Sequence, residues 1–169
     1  MHHKLDTDTH VYFYEQDYYV LSNFSAFRLY WHGLDFDTSE HAYHWTKLQW
    51  AAATCDPRRA TASLRAAEAI RATRSAHEAF TLARDHAALV PASWLDHRIE
   101  VMRDILRAKA AQHAYVRYKL LNTGTRLLVE DSWRDAYWGW GEHRDGANML
   151  GKLWMEIREE LRQEAHPDV

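Results

Sequence analysis

Cysteine is almost absent from this chain: Cys55 stands alone, so no disulfide can form within it. No run of 18 apolar residues offers a membrane span and no signal-peptide core is visible, which predicts a soluble cytoplasmic protein with no membrane partner. An excess of one charge is missing too. Lys and Arg number 21 against 24 Asp and Glu, a formal net charge of −3, and no basic arm stands out. Long-range steering toward nucleic acid is therefore weak, and long duplex DNA is a poorer partner than a small nucleotide or a single-stranded site. A local basic pocket remains compatible with this balance. No internal repeat and no low-complexity linker divides the chain.

What is present is apolar and aromatic: 47% of the 169 residues are hydrophobic and 13% are aromatic. That suffices for one sizeable core and argues against disorder. The expected layout is a flexible N-terminus at 1–10, a single domain over 11–163 and a tail at 164–169.

β-branched and aromatic residues at 11–14 read as a strand, and residues 27–31, the turn His32-Gly33 and residues 34–36 read as short strands or a hairpin. Helices follow. One begins at Thr38 or Ser39, either of which can accept the orphan N–H groups of the first turn, where Glu40 also suits the positive helix end. Helices are further expected at 58–74 and 77–84, and from Pro91 with Ser93 as N-cap. In that last run Leu95, Ile99, Met102 and Leu106 recur at helical spacing as a buried stripe, and Lys109 is next on it. A lysine there either snorkels to water or meets an anion in a pocket. Asn122-Thr-Gly124 closes a short helix, residues 127–130 resemble a strand, and 149–162 form a final amphipathic helix with Leu150, Leu153, Trp154, Ile157 and Leu161 inward.

Two stretches carry chemistry. At 100° per residue, Glu40, His44 and Lys47 fall within roughly 60° of one another around the first helix, a polar stripe of carboxylate, imidazole and amine. Trp45 and Leu48 flank it on one side and Tyr43 and Trp50 on the other, so aromatic walls suited to flat rings are expected. Glu40 and Lys47 stand roughly 10 Å apart along the axis, too far for a direct ion pair, and a solvated helix face would look the same. The second stretch, residues 135–148, is dense in aromatics and glycine without helical periodicity. Gly139 and Gly141 permit unusual backbone, and Tyr137, Trp138 and Trp140 supply rings that either stack on a base or pack in the core.

Together these residues resemble the NADAR family, named for NAD and ADP-ribose, which includes the YbiA-type N-glycosidases. The resemblance rests on Phe13-Tyr14, Ser22-Asn23-Phe24, Thr38-Ser-Glu-His41, Lys47, Lys109, Thr123-Gly124, Glu130, Asp135-Ala-Tyr-Trp-Gly139 and Asn148-Met-Leu-Gly-Lys152, with Met155 and Arg158. It runs nearly the whole length. It implies a mostly α, single-domain fold with a short N-terminal β-hairpin and small strands. It implies an N-glycosidase that removes ADP-ribose from a guanine base, in a nucleoside, a nucleotide or DNA, or that cleaves phosphorylated riboflavin-pathway intermediates. Ser22, Asn23, Phe24, Tyr43, His44, Lys109, Asp135, Trp138, Gly139 and Asn148 are the implied substrate contacts, with no cofactor, no metal and no obligate protein partner. Two positions depart from the pattern: His44 replaces the usual Gln of the YbiA branch, and Ala110 stands where an aromatic commonly follows the second lysine.

Cleaving an N-glycosidic bond builds positive charge on the anomeric carbon and negative charge on the departing base, so a carboxylate and a proton donor are both useful. Glu40 can orient water or stabilise the oxocarbenium-like centre. Lys47 can protonate the leaving nitrogen or, if desolvated, attack the sugar through a Schiff base. Lys109 and Arg158 can hold phosphates, Trp138 can stack on the base, and Asn148 can cap the last helix or contact ribose. Three further classes remain open. A binding-only module for ADP-ribose or a nucleotide needs no Glu40 with Lys47; a metal hydrolase lacks zincin spacing, since His41 and His44 are three apart; a purely structural protein leaves the aromatic loop without a reason.

Overall fold

A computed structural model describes residues 6–15 and 17–165. Residues 1–5 of the expected flexible N-terminus and 166–169 of the expected tail lie outside the described residues. The fold is mostly α: the described residues hold six helices and four short strands. They group into two compact units, one of Asn23–Gln112 and the other of Met1–Ser22 with His113–Val169.

The contiguous unit opens with the expected hairpin. Strands β2 (Leu29–Trp31) and β3 (Leu34–Phe36) pair antiparallel across His32 and Gly33, both at positive φ (48° and 81°), the twist that a two-residue hairpin demands. Helix α1 (Ser39–Thr54) is capped by Thr38, whose hydroxyl accepts the His41 N–H. Asp56 caps α2 (Pro57–Arg71) by accepting from the Arg58 and Arg59 N–H groups, with Pro57 at the first position where its missing N–H costs nothing. Ser75 caps α3 (Ala76–Asp85) by accepting the Glu78 N–H, and Glu78 returns to accept from the Arg74 N–H.

The next segment corrects one expectation. Residues Ala92–Asp96 form a 3-10 helix, and α4 starts afresh at Arg98 and runs to Gln112. Leu95 therefore falls off the stripe and is 55% exposed; the buried face is Met102, Ile105, Leu106 and Lys109. The core around α1 holds Ala42, Leu48 and Ala51, with Ile70 from α2, Ala79 from α3 and Leu106 from α4 all buried. Gln112 secures the hairpin edge, accepting the Tyr30 N–H and donating to the Tyr30 carbonyl, each at 2.8 Å.

The second unit is built on a pairing of distant segments. Strand β1 (His10–Phe13) lies parallel to β4 (Leu127–Glu130), with His10 opposite Leu127 and Phe13 opposite Glu130. Helix α5 (Ala114–Leu121) ends at Asn122, and Gly124 turns the chain at φ 60°. Helix α6 (Met149–Ala165) buries Leu150, Leu153, Trp154 and Ile157, and the Trp154 indole donates to the Leu21 carbonyl at 2.8 Å. Leu161 is only half-buried. No helix among the described residues is long and apolar enough to cross a membrane.

Candidate active site

Helix α1 buries its polar stripe. Glu40 and His44 are each 7% exposed, one helical turn apart, and joined by a 2.8 Å hydrogen bond between Glu40 Oε1 and His44 Nε2. The Glu40 backbone N–H is held by the Asn23 carbonyl at 3.1 Å, which anchors the first turn. Burial pushes the His44 pKa down, against the opposing pull of the Glu40 carboxylate, so the ring is neutral near pH 7. Lys47 lies farther along the same face, half-buried, with its ammonium 5.8 Å from the Tyr43 ring centre. Desolvation lowers its pKa to about 8, and the Glu40 charge offsets part of that fall. Roughly a tenth of such amines are neutral at pH 7.

The aromatic surroundings differ from those expected. Trp45 and Leu48 belong to the core: Trp45 meets Phe36 edge to face at 5.3 Å and donates its indole N–H to Glu68 at 3.0 Å. Trp50 packs on His97 and Trp94, at 4.8 and 6.0 Å. The rings beside the stripe are Tyr43, 5.3 Å from His44, and Phe80 of α3, 6.2 Å from His44 and 6.4 Å from Phe24. Phe80 keeps 38% of its surface exposed, giving buried His44 an aromatic rim. A lone phenylalanine on an alanine-rich helix reads as core, so sequence alone gave no signal for it.

Lys109 faces inward and not into bulk water. It is fully buried, donates to Ser25 Oγ at 2.7 Å and lies 5.4 Å from the Phe27 ring centre. Burial drops its pKa to about 7. Ser25 follows Phe24 directly, yet periodicity could not pair it with a helix 84 residues later. Asn23 is likewise buried, its Nδ2 donating to Met102 Sδ at 3.3 Å. His41 turns elsewhere, with Nδ1 on Thr38 Oγ1 at 2.8 Å and Nε2 on Thr73 Oγ1 at 3.0 Å, so the rings of His41 and His44 serve different partners.

The other unit holds the remaining expected site residues. Ser22 is buried. Asp135 accepts the Tyr137 and Trp138 N–H groups through one oxygen, at 2.8 and 2.7 Å, and so shapes the loop. Gly139 is required there, because a Cβ would sit 2.9 Å from the Glu130 carbonyl and 3.0 Å from that of Asp135. The half-buried Trp138 ring meets Tyr137 at 5.0 Å. Asn148, at φ 49°, bridges β4: its Oδ1 accepts the Glu130 N–H at 2.9 Å and its Nδ2 donates to the Leu128 carbonyl at 2.8 Å. The first N–H groups of α6 are taken by the Tyr137 and Trp138 carbonyls, each at 3.0 Å. Arg158 is buried and donates to Thr123 Oγ1 at 2.7 Å and to the Arg126 carbonyl at 2.9 Å.

A family model described as the NADAR domain matches residues 12–162. Among curated proteins, the chain is similar to N-glycosidase YbiA of Escherichia coli strain K12, 36% identical over 156 residues that cover 92% of this chain and 89% of that one. An N-glycosidase of Nostoc punctiforme is 34% identical over 156 residues, covering 90% and 92%. A riboflavin biosynthesis protein of Vibrio vulnificus is 34% identical over 157 residues, 92% of this chain but 39% of that longer protein. The NMR structure of Escherichia coli YbiA matches with a TM-score of 0.76 at 35% identity, covering 98% of this chain and 92% of that one.

Proposed function

The chain belongs to the NADAR family, and from that premise we propose that it is an N-glycosidase whose reaction centre is the buried face of α1. The observation that carries this reading is the enclosed Glu40 carboxylate, bonded to His44, with an amine of lowered pKa on the same face. Relatives named as N-glycosidases support the reaction class. As the C1′–N bond breaks, its electron pair leaves with the base, which takes a proton from the Lys47 ammonium, while water bonds to C1′ and gives a proton to Glu40; exchange with solvent then restores both groups. In the covalent variant the neutral Lys47 amine attacks C1′ of the opened sugar, the base departs, and water hydrolyses the resulting imine to regenerate the amine. Tyr43 and Phe80 supply ring surface, and Lys109 supplies a cation for a phosphate on reaching it.

For the substrate we favour an ADP-ribosylated guanine base. A phosphorylated riboflavin-pathway intermediate is the second reading, favoured by the name of the Vibrio vulnificus relative. Incubation with ADP-ribosylated guanosine, ADP-ribosylated single-stranded DNA and phosphorylated pyrimidine intermediates, followed by mass spectrometry, tests both. Release of free ADP-ribose together with guanosine, or with unmodified single-stranded DNA, is expected. Release from the pyrimidine compounds alone selects the second reading, and no release from any of them by folded protein overturns the N-glycosidase assignment. Cyanoborohydride added during turnover is expected to fix a sugar adduct on Lys47 that Lys47→Arg abolishes, since guanidinium stays protonated. Full turnover by Lys47→Arg, or turnover with no adduct, leaves direct water attack assisted by Glu40.

A further inference from the structure

Among the buried polar atoms with no hydrogen-bond partner among the described residues are the Ser39 hydroxyl, next to Glu40 in the chain, and two side-chain atoms on residues hydrogen-bonded to Glu40. His44 engages the Glu40 carboxylate through Nε2, and its enclosed Nδ1 has none. Asn23 holds the Glu40 N–H through its backbone carbonyl, and its side-chain Oδ1 is enclosed without one. His44 and Asn23 are 7% and 5% exposed, so bulk water does not explain how these atoms are satisfied. Buried polar atoms without partners are rare, and each calls for a reason such as a bound ligand.

Their chemical sense is the same. A carboxylate only accepts, so the imidazole facing Glu40 donates from Nε2 and presents a bare lone pair at Nδ1. Burial keeps that ring neutral, which preserves the lone pair near pH 7. In Asn23 the amide nitrogen faces Met102 sulfur at 3.3 Å; the reverse orientation would set two acceptors against each other, so Oδ1 is the free end. Both orphans accept, and neither can donate. Each suits a ligand group that donates a hydrogen bond and offers no strong acceptor there.

We infer that His44 Nδ1 receives the hydroxyl on C2′ of the substrate's ribose, and that Asn23 Oδ1 receives a further donor of the substrate. This rests on the reading above, in which Glu40 serves C1′: His44 is bonded to Glu40, and the carbon next to C1′ is C2′. The contact gains strength as the reaction proceeds. Positive charge at C1′ makes the 2′-hydroxyl a better donor, so its bond to a lone pair is worth more in the transition state than in the ground state. A glutamine at position 44 could turn either end of its amide toward the sugar. An imidazole fixed by Glu40 can only accept, which makes this chain selective for ribose over 2′-deoxyribose at the cleaved bond.

The test is a cycle of two substrates and two proteins. kcat/KM is measured for ADP-ribosylated guanosine and for its analogue lacking the 2′-hydroxyl on the cleaved ribose, with wild type and with His44→Phe. Because 2′-deoxy sugars lose their base more readily by themselves, only the change in the ratio counts. The ribose-to-deoxyribose ratio is expected to fall about 10-fold in the variant, the scale of one lost hydrogen bond. In the wild-type protein, nitrogen NMR is expected to find the proton of His44 at Nε2, with the Nδ1 signal moving on addition of ADP-ribose but not of its terminal 2′-deoxy form. An unchanged ratio, a proton at Nδ1, or an Nδ1 signal indifferent to ADP-ribose overturns the inference. Absence of turnover by the wild-type protein on every glycoside would overturn the N-glycosidase reading instead, and the ADP-ribose titration of the wild-type protein would still decide the role of His44, also where the variant loses all turnover or fails to fold.

Discussion

In the loop of residues 131–148, Asp135 directs its carboxylate to two backbone N–H groups of its own loop, whereas on α1 Glu40 meets a histidine whose far nitrogen is unpartnered among the described residues. Asn148 repeats the first pattern, with both ends of its amide on the backbone of β4; Asn23 repeats the second, with its amide oxygen enclosed and unused. Both regions are rich in polar and aromatic residues. The first turns its polar side chains onto its own backbone, although Asp135 does so through one oxygen alone, and the second keeps, in a buried place, bonding capacity with no partner among the described residues. Unused capacity in a buried place is the better guide to chemistry than density of polar residues, because satisfied groups have nothing left to offer a substrate.

The sharpest way to break this contrast is Glu40→Gln. The variant keeps shape and volume but loses the negative charge beside the developing cation, so turnover is expected to fall on the order of 10²-fold or more with the thermal transition nearly unchanged. Equal turnover with an intact transition would remove Glu40 from the chemistry and the contrast with it.

Asn148→Ala tests the opposite side. Losing both bonds to β4, at a backbone position where Asn tolerates positive φ, is expected to cost about 1–3 kcal/mol in unfolding free energy while KM changes little. A raised KM with normal stability would make Asn148 a ribose contact after all.

The smallest effect is expected from Lys109. Its pKa is about 7 in the folded chain and near 10.4 when unfolded, so between those values the unfolded state binds more protons and stability rises with pH. Lys47, at about 8, adds to the rise over the upper part of that window. Thermal midpoints measured from pH 7 to 9 are expected to climb in wild type and to climb less in Lys109→Met. Identical slopes would mean that Lys109 is charged and well solvated in the native protein.

Local signals made much of this legible in sequence. The cap at Thr38 or Ser39, the shared face of Glu40, His44 and Lys47, the His32-Gly33 turn and the place of Lys109 on the α4 stripe follow from spacing within one element; that Glu40, His44 and Lys109 are buried does not, since a solvated face and a snorkelling lysine have the same spacing. What failed depends on a change of period or on distance. Leu95 looked periodic with Ile99, but residues 92–96 wind at three per turn and the helix restarts after His97, which rotates Leu95 outward. Trp45 looked like a wall for the stripe because no pattern announces that Glu68 and Phe36 will claim it. Phe80 and Ser25 reach their partners only through packing of separate elements, which a single sequence does not encode locally.

The parallel pairing of β1 with β4 sets a timetable for the nascent chain. Strand β1 leaves the ribosome long before β4, because the residues it must pair with follow more than a hundred positions later. At roughly 5–20 residues per second that is a wait of several seconds or more. The contiguous stretch Asn23–Gln112 can gather its local contacts during that interval, whereas the first strand remains an open edge until the long loop closes. Slowing or pausing synthesis between the two would therefore expose the alternating Val11 and Phe13 to other chains for longer.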